Sequence, residues 1–127
     1  MEKKKNLYQL HDEHVEWMKH VDFFRDEVHS LENRLGEVVS RNTDQSVRAQ
    51  VESFQNKIIV HKEQFDIFYH DVKQHENELV SSAQANPTAS DHRLFDDHSG
   101  LRDRYNTMVN MFGELKDGVY KFVSPIM

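Results

Sequence analysis

A long all-α bundle of three helices is what this sequence predicts, antiparallel and up-down-up, with a heptad-packed, coiled-coil-like core. Three observations predict it. Four glycines and two prolines are all that interrupt 127 residues, of which 30% are charged. Apolar residues recur at alternating spacings of three and four along three long stretches, the period of a coiled-coil seam. Two short segments, SRNTDQ and SSAQANPTAS, separate those stretches with residues that favour turns and caps. A chain of this length fits one domain, 1–127, large enough to bury a core.

The first stripe is Leu7, Leu10, His14, Trp17, Val21, Phe24, Val28, Leu31, Leu35 and Val38. Asn6 has the character of an N-cap, with Gln9 three residues on to complete a capping box, so the first helix is expected over about 7–39. Gly36 falls on its outer face, where it lowers helix propensity without interrupting packing. After Ser40–Gln45, a second stripe runs Val47, Val51, Phe54, Ile58, His61, Phe65, Phe68, Val72, His75 and Leu79, giving a helix over about 44–81. Pro87 excludes helix at Asn86, and Thr88 with Asp91 signals a new start. The third stripe, Leu94, His98, Leu101, Tyr105, Met108, Phe112, Leu115, Val119 and Phe122, belongs to a helix over about 89–122 that Pro125 ends. Helices of ~30–35 residues would be ~45–50 Å long.

Composition removes several function classes. A net charge of −6 argues against nucleic acid, whose phosphates need concentrated positive charge. The one basic cluster, Lys3 to Lys5, reads as a solvated terminus. No apolar run is long enough for a signal peptide or a membrane span. The absence of cysteine removes disulfides, thiolate metal sites and cysteine nucleophiles, and makes the cytoplasm the expected compartment. Nine histidines remain to be explained, dispersed along the chain rather than gathered in a tag.

Four of those histidines sit on the core stripes. Folding the second helix back on the first pairs positions whose numbers sum to about 85, and folding the third on the second gives sums of about 173. In that register Trp17, Phe68 and Tyr105 form an aromatic layer. The next two layers hold His14 with Val72 and Leu101, then Leu10 with His75 and His98. Three histidines from three helices are thereby expected in adjoining layers, while His61 is expected alone between Phe24 and Phe112.

Neutral imidazole is a common ligand for transition metals, and bundles hold metals with His and carboxylate side chains on facing helices. The candidate ligands are His14, His75 and His98, with Asp71, His11 or Glu78 completing the set, since Asp71 and Glu78 share a helix face with His75. Glu13 and Asp97 flank the core near the same level. Zn, Fe, Mn or Ni would suit such a set, for sensing, storage or redox use. The alternative is a buried polar layer that fixes register, with neutral histidines bonded to Asp71, Glu78, Tyr105 or water. Neither the H-x3-E and H-x3-H pairs of hemerythrin-like proteins nor the E-x-x-H of ferritin-like carboxylate proteins occurs. His29, in HSLENRLG, has Glu32 and Asn33 where a phosphotransfer histidine would need Lys and Gly. His20, His70 and His92 read as solvated surface residues. No phosphate loop, H-E-x-x-H or nucleophile motif is present, so no catalytic arrangement is recognised and a non-enzymatic role is favoured over an enzymatic one.

Ile59, Val60 and Ile67 fall outside the stripe on the second helix, and an exposed apolar patch there suggests self-association as a two-fold dimer, or a protein partner. From the sequence, the first expectation is a non-enzymatic interaction or scaffold bundle with a buried histidine layer. A metal-binding bundle is the specific alternative.

Overall fold

The computed structural model describes residues 2–85 and 91–126, with side chains described over 7–84 and 93–126. It consists of α1 (Glu2–Arg41), α2 (Gln45–Ala85) and α3 (Asp91–Val123), with no strand among the described residues. At 40 and 41 residues α1 and α2 are longer than the sequence suggested, while α3, at 33 residues, has the expected length. α1 begins before Asn6, which is therefore not its cap: Glu2 to Lys5 contain no helix breaker and continue the helix outward. α2 likewise runs through Ser81 to Ala85, because a pair of serines does not stop a helix whose inner face is already docked. The start signals at Pro87 and Thr88 lie outside the described residues, and α3 is helical from Asp91.

The first connection is only Asn42–Asp44, and its side chains satisfy both helix ends. Asp44 Oδ1 accepts from the backbone N–H of Ser46 at 2.8 Å and of Val47 at 3.4 Å, and from the Ser46 hydroxyl at 2.7 Å, as an N-cap does. On the other side, Asn42 donates to the Val38 carbonyl at 2.9 Å, and Arg48 donates to the carbonyls of Asn42 and Val39. Orphan carbonyls at the end of α1 are thus bonded locally.

Contacts between helices follow a regular order. From His14 to Arg25 to Glu32 along α1, the partners on α2 descend from Glu76 to Asp66 to Lys62. From Glu13 to Glu27, the partners on α3 rise from Arg102 to Lys116. All three helices contact one another, forming a bundle.

Among the described residues the heptad stripes account for the buried positions, apart from Val123, which is buried while its neighbour Phe122 is only partly buried. The larger apolar cluster runs from Trp17, Val72 and Leu101 to Val38, Val51 and Val123. A smaller one, Leu10, Leu79 and Leu94, lies toward the start of α1. Each fully buried Phe, Leu or Ile in these clusters contributes about 1.5–3 kcal/mol. The two clusters are not continuous. Between Leu10 and Trp17 on α1, between Val72 and Leu79 on α2 and between Leu94 and Leu101 on α3 stands a histidine.

Candidate metal centre

His14, His75 and His98 each occupy a core position of a different helix, and each is buried, at 0%, 5% and 1% exposure. The heptad spacing that turns Leu10, Leu79 and Leu94 inward turns these rings inward too. One nitrogen from each converges on a common point, all within 4.8 Å of one another. His14 Nε2 lies 3.1 Å from His98 Nδ1 and 3.1 Å from His75 Nδ1. Nitrogens bonded to zinc at about 2.0–2.1 Å in a tetrahedron stand roughly 3.3–3.4 Å apart, so these two separations need little adjustment.

The outward nitrogens decide what the inward ones are. His14 Nδ1 donates to Glu76 Oε1 at 2.9 Å, His98 Nε2 donates to Glu13 Oε1 at 3.0 Å, and His75 Nε2 donates to the Leu94 carbonyl at 3.1 Å. All three partners are oxygens that only accept. A neutral imidazole has one N–H, so each ring spends its proton outward and presents a lone pair inward. Three lone pairs aimed at one another repel unless a cation lies among them. A single proton would bridge two nitrogens and leave the third facing them. A metal ion would satisfy all three, and carboxylate or carbonyl acceptors behind the ligand rings are the usual way a protein orients metal-bound histidines.

Electrostatics disfavour the proton. Burial pushes the His14 pKa down despite the hydrogen bond and charge of Glu76. Burial likewise pushes His98 down, to about 4, against the pull of Glu13. The carboxylates behind them stay ionised. Glu13 is held below its ordinary range chiefly by Arg102, which donates to it at 2.6 and 3.1 Å, with burial opposing and His98 assisting. At Glu76, burial opposes ionisation, but hydrogen bonds from His14 and His11 outweigh it and lower the pKa.

The same-helix carboxylates expected from the sequence are engaged elsewhere. Asp71 pairs with Arg104 at 2.9 Å, and Glu78 faces Arg93 at 3.6 Å. His11 is half-exposed and donates to Glu76 Oε2 at 2.7 Å, so it stands behind the cluster rather than in it. Asp97 is exposed. The acceptors that matter come from neighbouring helices: Glu76, beside His75, serves His14, and Glu13, beside His14, serves His98. Glu76 had no signal of its own except adjacency to a core histidine. Tyr105 bonds none of the three; it bonds His20, which is half-buried rather than a free surface residue. His61 packs its ring on Phe65 and Phe112, at 6.1 and 5.9 Å, while Phe24 meets those same two phenylalanines instead of capping His61.

An open groove of about 410 Å³ between α2 and α3 reaches His75, lined by Asp71, Glu78, Asp96, Asp97 and Arg104 among others. Its acidic balance favours approach of cations. No helix among the described residues is long and apolar enough to cross a membrane. Fold and site together define a three-helix bundle with a buried three-histidine cluster joining all its helices. Compared with protein-family models, with curated proteins and with solved structures, the chain finds no match.

Proposed function

We propose that this protein is a metal-binding bundle, holding a first-row divalent metal such as Zn, Fe, Mn or Ni on His14 Nε2, His75 Nδ1 and His98 Nδ1. Its helices run up-down-up in antiparallel, coiled-coil-like packing, so that one metal clasps all three. The observation that carries this reading is the set of outward acceptors, Glu76, Glu13 and the Leu94 carbonyl, which leave every inward nitrogen a lone pair. It moves metal binding ahead of a purely structural histidine layer, in which at least one ring would turn its N–H inward. Three protein ligands leave coordination positions for water or a small substrate. Sensing, storage and redox use are all compatible with that arrangement.

Elemental analysis of protein purified without a His tag or a nickel column tests the reading. Stoichiometric metal is expected, lost in His98→Ala, and resupplying it at a hundred times its Kd should raise Tm by roughly 10 °C. No metal, and no thermal shift with Zn, Fe, Mn or Ni, would overturn it.

Self-association is a second, independent property supported by α2, where Ile59, Val60 and Ile67 remain 52%, 51% and 56% exposed. A two-fold dimer through this face is the simplest arrangement. Sedimentation showing only monomer at high micromolar concentration would exclude it.

A further inference from the structure

From the histidine cluster a file of flat rings runs to the surface. His98 stacks on Trp17 with centroids 4.8 Å apart and planes 23° apart. Trp17 stacks on Tyr105 at 5.5 Å and 22°, and Tyr105 on His20 at 5.8 Å and 27°. Other aromatic pairs in this core are turned further from parallel: Phe24 and Phe112 at 53°, Phe54 and Phe122 at 43°, Phe65 and Phe112 at 82°. Close packing accepts any of these geometries. Three consecutive near-parallel contacts make an unbroken file of rings from a buried nitrogen cluster to the half-buried His20.

The chemistry of the file also differs from that of the rest of the core. Trp and Tyr are the aromatic side chains that can be oxidised by one electron, and Phe is not. A phenol loses an electron readily only when its proton can leave as well. The Tyr105 hydroxyl donates to His20 Nδ1, and His20 Nε2 lies 3.9 Å from the exposed Glu16 carboxylate, so a proton passed to His20 has a route to water.

We propose that Trp17 and Tyr105 form a one-electron conduit between a redox metal on His14, His75 and His98 and the surface, with Tyr105 the electron donor and His20 its proton acceptor. This rests on the metal reading above and specifies what the metal does. With iron(II) bound and hydrogen peroxide as the oxidant, the peroxide takes two electrons and becomes two waters. One electron comes from iron(II), which becomes iron(III). The other leaves Tyr105 and passes through Trp17 and His98, giving a neutral phenoxyl radical. The Tyr105 proton goes to His20 and on to solvent; the peroxide oxygens take up two protons, so one net proton is drawn from water. The acidic groove beside His75 admits a small neutral oxidant.

The test uses the full chain loaded with iron(II), its iron content measured, then mixed with one equivalent of hydrogen peroxide and frozen for electron paramagnetic resonance. A tyrosyl radical is expected, absent in Tyr105→Phe, which removes a single oxygen atom. Its yield should fall at least tenfold in Trp17→Phe at unchanged iron content, and an undiminished yield in that variant overturns the conduit. His20→Gln should lower the yield severalfold. Iron-loaded protein that forms no tyrosyl radical, or forms the same one in Tyr105→Phe, overturns the conduit and leaves the metal reading standing. Protein that binds no iron overturns the conduit, and its response to Zn, Mn and Ni then decides whether the metal reading falls too.

Discussion

His61 and the trio of His14, His75 and His98 occupy equivalent core positions of one bundle, yet they are buried in opposite ways. His61, 8% exposed, lies among phenylalanines, and its Nδ1 has no hydrogen-bond partner. Each ring of the trio has an oxygen acceptor on its outer nitrogen and other imidazoles on its inner one. A buried histidine is by itself weak evidence of a site. What distinguishes the trio is the acceptors behind it, because they fix which way the lone pairs point.

That contrast can be broken most forcefully at the acceptors. Glu76→Gln and Glu13→Gln should each weaken metal binding by about 10–100-fold, since an amide can present N–H to the ring and release its tautomer. His61→Leu should leave the affinity unchanged. Competition titration against a chromophoric chelator reads both, and an affinity that falls in His61→Leu would erase the distinction.

Stability of the metal-free protein gives the next largest effect, with opposite signs at the two places. His61→Leu replaces an unsatisfied buried polar group with a hydrocarbon of similar size and should stabilise by about 1–2 kcal/mol. His14→Leu leaves Glu76 Oε1 without its donor, with only His11 still bonded to Oε2, and should destabilise by about 1–3 kcal/mol. Urea unfolding in the presence of a chelator measures the difference.

The smallest separation is in pH dependence. Burial lowers the pKa values of His14, His61 and His98 in the folded protein. Between the unfolded value of about 6.5 and the folded values, the unfolded chain binds protons that the folded chain refuses. Stability is therefore fully present above pH 6.5 and is lost as the pH falls toward about 4, where His98 titrates in the folded state. His61→Leu should only slightly flatten this slope, whereas a slope abolished by that substitution would assign it to the wrong histidine.

Much of this was legible in the sequence, and the reason is periodicity. An alternation of three and four identifies inward positions without knowledge of any neighbour, so the stripes anticipated nearly every buried residue, and adding short loops brought His14, His75 and His98 into adjoining layers. The carboxylates were not legible in the same way. Asp71 and Glu78 share a face with His75, and spacing along one helix favours them; yet a residue flanking the core reaches across to the adjacent helix, and the direction of that reach depends on how the three helices are arranged around their axis. The neighbour that Glu13 faces, and the part played by Glu76, were hidden by that single geometric unknown. His20 was misread for a related reason: an outward heptad position near a seam can still meet a tyrosine on the neighbouring helix.

One of the three acceptors is not a side chain. His75 Nε2 donates to the backbone carbonyl of Leu94, the residue one helical turn before His98. Glu13 and Glu76 can each be erased by a one-residue change, so the orientations of His98 and His14 are open to tuning through sequence drift. No exchange of the Leu94 side chain deletes its carbonyl. His75 is therefore the fixed point of the cluster, its ring orientation detuned only by displacing α3 itself.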